Sequence, residues 1–186
     1  DLADVTRELL DSGASIAELN AVRKHCSAVK GGRLASAAPP ARLVTLAVSD
    51  VVGDDPSVVG SGPTAPDETT YADALAVLDR YHVVAPAVRE HLQRGVDCEV
   101  SETPSAGDPA FDRADYHVLA NAETAQAAAA SVATERGYTP LVLSRSIEGE
   151  ACEAGRFHAA VAREVRSTGR PIEPPAVLLS GGECTV

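Results

Sequence analysis

The segment RLVTLAVSD, Arg42 to Asp50, decides the fold. Its apolar run is short, rich in Val and Leu, and closed by polar residues at both ends. A strand buried on both faces reads this way, and such strands belong to parallel sheets covered by helices. Working outward, VVGDDPSVVGSGPTAPDETT (Val51 to Thr70) is a Gly/Pro/Asp loop, longer than a plain connector requires. On the N-terminal side, Leu2, Val5, Leu9 and Leu10 recur at helical spacing, and Ser12-Gly13 closes that helix. Ser15 with Glu18 forms a capping box for a second helix that runs to about Cys26.

Beyond the loop the alternation continues. Helices are expected over 70–81 and 86–94, the latter opening on Pro86. YHVLAN is a strand, AETAQAAAASVATERG a helix ended by Gly137, and PLVLSRS a strand. EGEACEAGRFHAAVAREVRSTG is a helix and AVLLSGG a last strand. Strands and helices in alternation predict an α/β domain with a doubly wound, mainly parallel sheet of the Rossmann-like, three-layer kind. Ligands in such sheets bind beyond the carboxyl ends of the strands. That directs attention to SDVVGDD, LANAET, LSRSIEGE and LSGGE.

The 186 residues carry a formal net charge of −11, which argues against a nucleic-acid partner because backbone phosphates would be repelled. Cys26, Cys98, Cys152 and Cys184 are far apart in sequence and show no zinc-ligand spacing, as expected of unpaired thiols in a reducing cytoplasm. No apolar run of membrane-spanning length occurs, so no membrane role is expected. With no methionine, the chain reads as an internal piece of a longer protein, or the ordered part of one.

Against this acidity stands one basic island, VRKHCSAVKGGR (Val22 to Arg33). It contains Lys24 and Lys30, the chain's two lysines, and no Asp or Glu occurs from Leu19 to Ser49. A local reversal of field suits a polyanion such as ATP: Lys30 or Lys24 as point donors, Arg23 and Arg33 as forks, Gly31 and Gly32 as close-approaching backbone. Lys24, in the last turn of its helix, also suits a helix C-terminus. Asp50 and Asp54 can hold Mg²⁺, or can be no more than an acidic turn. Ser61, Gly62 and Thr64 offer hydroxyls and amides to an anion. Ser180, Gly181, Gly182 and Glu183 follow a strand end, and Asn121 either caps a helix or binds a ligand. GSGPTA (Gly60 to Ala65) matches a dinucleotide fingerprint formally, yet Pro63 and Pro66 interrupt it and read as a chance match.

Taken in order, LLDSGASIAELNAVRKHCSAVKGGRLA, LAVSDVVGDDPSVVGSGPTAPDETTYADAL, IEGEA and LLSGGECTV resemble the glycerate 2-kinases of the MOFRL type, a family also called hydroxypyruvate reductase. The resemblance implies two α/β domains, with residues 1–174 as most of the first and 175–186 as the opening strand of the second. It implies ATP- and Mg²⁺-dependent phosphorylation of D-glycerate at its 2-hydroxyl by a cytoplasmic enzyme. Lys30 and Asp50 would be catalytic, and Asp50 and Asp54 would hold the metal. Glycerate and ATP would be the partners, with a homodimer left open. Two alternatives stand beside this: an NAD(P)H-dependent hydroxypyruvate reductase, and a non-catalytic anion-binding domain.

Overall fold

A computed structural model describes residues 1–185. The first helices form where spacing and caps place them. α1 (Leu2–Asp11) turns Val5 and Leu9 inward, and the Asp1 carboxylate accepts from the Ala3 and Asp4 amides. α2 (Ile16–His25) opens on the expected box: Ser15 Oγ accepts from Glu18 N, and the Glu18 carboxylate accepts from Ser15 N. The box satisfies amides that helix geometry leaves without partners. There follow α3 (Arg33–Ala37), β1 (Leu43–Val48), α4 (Tyr71–Arg80) and α5 (Pro86–Val96). The chain continues through β2 (Ala114–Ala120), α6 (Ala122–Glu135), β3 (Thr139–Ile147), α7 (Ala151–Thr168) and β4 (Ala176–Gly182). The expected elements are all present. The five-residue α3 has no periodic signal and was not expected.

Two compact units share these elements. The first comprises Asp1–Leu46 with Pro56–His117, the second Ala47–Asp55 with the chain from Val118 onward, so the divide passes through β1 and β2. The core of the first unit is helical. Val5 and Leu9 of α1, Leu19 and Val22 of α2, and Tyr71, Ala74, Val77 and Leu78 of α4 cluster with Val83 and with Leu92 of α5. Leu9, Leu78 and Leu92 are wholly buried, each worth about 1.5–3 kcal/mol as a side chain removed from water.

Within that core α5 closes on a ring. A Cβ on Gly95 would lie 2.2 Å from Tyr71 Cγ, and Tyr71 sits edge-on between the His25 and His91 rings, 4.8 and 5.9 Å away. In an open helix Gly→Ala would add about 1 kcal/mol of stability. Here the ring cannot yield, and overpacking reverses the sign. Gly95→Ala is expected to lower the unfolding free energy by about 1–3 kcal/mol in urea titrations. A gain in stability would show that Tyr71 moves freely.

In the second unit β3 and β4 pair in parallel, Thr139 against Ala176 through Val142 against Leu179, with irregularities up to Ile147 against Gly182. Alternate residues of β4 reach opposite sides. Gly181 faces Gln126 and Ala122 of α6, while Ser180 meets His158 of α7. Helices therefore cover both faces of this sheet, the doubly wound, three-layer arrangement expected. The other sheet pairs β1 with β2: Leu43 N donates to Arg113 O at one end and Ser49 N to Ala120 O at the other. Both bonds advance with the chain, so this pair is parallel too. Here β4 is hydrogen-bonded to β3 and lies in the same compact unit as it. Cys26, Cys98, Cys152 and Cys184 are unpaired, and among the described residues no helix is long and apolar enough to cross a membrane.

Candidate active site

The basic island lies in the first unit and proves to be half of a buried polar network. Lys24 Nζ donates to Asp67 Oδ1 at 3.0 Å, with side-chain exposures of 7% and 0%. The same oxygen accepts from Thr69 N and Thr69 Oγ1. Burial pushes the Asp67 carboxyl up, but the Thr69 amide, the Lys24 ammonium and the Thr69 hydroxyl outweigh it and hold the group below its usual range. His25, wholly buried, has Nδ1 2.7 Å from Ala21 O and Nε2 2.9 Å from Glu102 Oε1. Glu102 Oε2 in turn accepts from Tyr71 N at the start of α4. Arg33 donates to the Tyr71 hydroxyl at 2.8 Å and to Ser101 O at 3.2 Å.

These contacts engage two of the groups expected at the site. Lys24 is no free phosphate donor: its charge is spent on Asp67. Nor are the glycine amides free. Gly31 N donates to Ser61 O and Gly32 N to Gly62 O, while Ser61 N and Gly62 N donate to Val58 O and Val59 O. Two glycine-bearing loops are thus zipped together rather than opened around an anion. Left-handed backbone makes this possible, with φ of 58° and 74° at Gly31 and Gly32 and 60°, 63° and 59° at Gly60, Ser61 and Gly62. Ser61 tolerates its strained angle because its hydroxyl is anchored on Asn20 Oδ1 at 2.9 Å. Thr64 Oγ1 accepts from Thr45 Oγ1. GSGPTA forms a 3₁₀ turn over Val59–Ser61 and the next helix is α4, so it builds no dinucleotide cradle.

What remains for chemistry in this unit is a pair of cations. Lys30 Nζ donates to Gly60 O at 2.8 Å. Burial, and then the charge of Arg23, pull the Lys30 ammonium below its ordinary pKa. Both side chains are half-buried, and neither has an ion-pair partner among the described residues. An arriving anion would relieve their mutual repulsion.

The second unit presents the strand ends. A recess of about 370 Å³ is lined by Val48 to Val52 after β1, Ala120 and Asn121 after β2, Arg145 of β3, and Gly181 and Gly182 of β4. This is where a parallel sheet places its ligands. Gly182, at φ 137°, admits no side chain, since a Cβ would lie 2.1 Å from Ile147 O. Asp50 is exposed on this recess. Asp54 lines an adjoining one of about 380 Å³, where Asn121 Nδ2 donates to its Oδ2 at 2.6 Å. Asn121 is also the expected cap, its Oδ1 accepting from Thr124 N. Arg145 is paired with Glu123. Glu183 is exposed beyond β4.

Among the described residues no three His, Cys, Asp or Glu side chains cluster as a protein cage for a metal. Asp50 and Asp54 each offer hard carboxylate oxygens to a separate recess, the donor type that suits an ion keeping waters and phosphate oxygens as its other ligands. Asp67, Glu102 and His158 were not singled out from the sequence. The signal for the first two was the acid-free stretch itself, whose cations had to find counter-charges elsewhere.

The two units together define a class: an α/β protein with a strand-end recess, and a cationic loop held by a buried polar network. The chain belongs to the family described as Domain of unknown function (DUF4147), whose model matches residues 1–93. Over the whole chain it is 40% identical to the D-glycerate 2-kinase of Thermotoga maritima and 49% identical to an Agrobacterium vitis protein provisionally named hydroxypyruvate reductase. The crystal structure of the Thermotoga maritima glycerate kinase superposes on all of it with a TM-score of 0.83. A Pyrococcus horikoshii structure, also 40% identical, does so at 0.76. The chain spans 42% of the Thermotoga protein and 41% of the Agrobacterium one.

Proposed function

We propose that the protein transfers the γ-phosphoryl group of ATP to the 2-hydroxyl of D-glycerate, giving 2-phosphoglycerate, with Mg²⁺ as the metal and the cytoplasm as its compartment. The observation that carries this reading is the match, over the full chain and at 40% identity, to the solved Thermotoga maritima glycerate kinase. The residues are compatible with the reaction's demands. Phosphoryl transfer depends on positioning and charge neutralisation more than on covalent work by the protein. In the first unit, Lys30 and Arg23 supply positive charge for a phosphate or carboxylate, while Lys24, Gly31, Gly32, Ser61 and Gly62 shape the loop that carries Lys30. In the second, Asp50 serves as base toward the hydroxyl or as metal ligand, and Asp54 joins it for Mg²⁺. Bound Mg²⁺ would neutralise phosphate charge.

The reductase reading has less support, because GSGPTA lacks the strand-to-helix turn that a nicotinamide dinucleotide needs. A pair of coupled assays on the full-length protein separates the two. ADP should form from ATP and D-glycerate, and NADH should persist with hydroxypyruvate. NADH consumption without ADP formation would reverse the assignment.

A further inference from the structure

On the face of β4 opposite the strand-end recess, a serine and a histidine stand in the relation of nucleophile and base. His158 Nδ1 lies 2.7 Å from Ala154 O, one turn back along α7. A carbonyl can only accept, so Nδ1 carries the proton and Nε2 presents its lone pair. That lone pair faces Ser180 Oγ at 2.6 Å. The tautomer required of a general base is thus set by the helix backbone, which takes the orienting role that a carboxylate fills in a triad. The imidazole is half-buried while Ser180 is exposed, so the base is held and the hydroxyl is accessible. Ser180 also sits near the carboxyl end of a parallel strand, and the two residues after it are Gly181 and Gly182, which add no side chains beside it.

The geometry points to Ser180 as a nucleophile toward electrophilic phosphorus, with His158 as its base. In the step, a bond forms between Ser180 Oγ and phosphorus, and the bond from phosphorus to its leaving group breaks, the electron pair departing with that group. The Ser180 hydroxyl proton passes to His158 Nε2. The substrate class is a phosphoric anhydride or activated phosphoryl ester. The inference does not depend on glycerate being the acceptor.

An alkyl fluorophosphonate tests it, with fluoride as leaving group and the full-length protein as target. Mass spectrometry of the digest should find the adduct on Ser180, and Ser180→Ala should abolish it. His158→Gln and His158→Ala should slow labelling by roughly 10²-fold, the range of a general base, with circular dichroism unchanged. A hydrogen bond that merely ties α7 to β4 would leave Ser180 inert. No adduct at Ser180 in the wild-type protein, or equal labelling rates in the folded His158 variants, would overturn the assignment. The ADP assay with D-glycerate reports separately on the kinase reading.

Discussion

Replacing Lys24 by alanine is expected to lower the unfolding free energy by about 3–5 kcal/mol, because it removes one partner of a buried ion pair and leaves the other uncompensated. Asp67 has no exposed side-chain surface, and its Oδ2 is buried without a hydrogen-bond partner among the described residues. Among the described residues, Lys24 and Thr69 alone answer its charge. Adding Asp67→Asn to Lys24→Ala should recover more than half of the loss: the amide oxygen still accepts from Thr69, and no buried charge remains. Acid sensitivity should move as well. The folded carboxyl lies below its unfolded value, so its contribution is complete above the unfolded pKa and is lost as pH falls through the folded one. Without Lys24 burial is less opposed, the folded pKa rises, and unfolding begins at higher pH. Urea titrations across acidic pH measure both effects. A single-variant loss within about 1 kcal/mol would place Asp67 in contact with water.

The basic island shows where reading a sequence reaches its limit. Its charges, and the absence of acids around them, are plain in the chain. Their partners are not: Asp67 lies 43 residues beyond Lys24, and Glu102 lies 77 beyond His25. Helical spacing, capping boxes and apolar runs are local, so Ser15–Glu18 and the Asn121 cap were legible. Counter-charges brought together by packing are not local. The glycines misled for a related reason. Gly31-Gly32 and Ser61-Gly62 each read as flexible donors, whereas the Gly31 and Gly32 amides are taken by Ser61 O and Gly62 O, and the Ser61 and Gly62 amides by Val58 O and Val59 O of their own turn. The strand ends were legible because the doubly wound pattern itself says where ligands sit. His158 was not, since a histidine on an amphipathic helix shows nothing in sequence of the serine it will face.

Lys30→Ala should separate chemistry from architecture where Lys24→Ala cannot. In the full-length protein, turnover of ATP with D-glycerate is expected to fall by about 10²–10³-fold, the cost of removing one preorganised donor from developing transition-state charge. Stability should change little, because the ammonium is half-exposed and its one described contact, to Gly60 O, is a hydrogen bond worth about 1 kcal/mol. The lowered Lys30 pKa points the same way. With Arg23 beside it and no carboxylate paired with it among the described residues, its charge is costly in the free protein and is stabilised when an anion arrives. Interaction energy of that kind is realised on binding and in the reaction, not in the fold. Steady-state kinetics then distinguish two cases: kcat falling with kcat/KM places Lys30 on the transition state, whereas a rise in KM alone restricts it to holding the ground state. Near-wild-type values of both would remove Lys30 from the reaction.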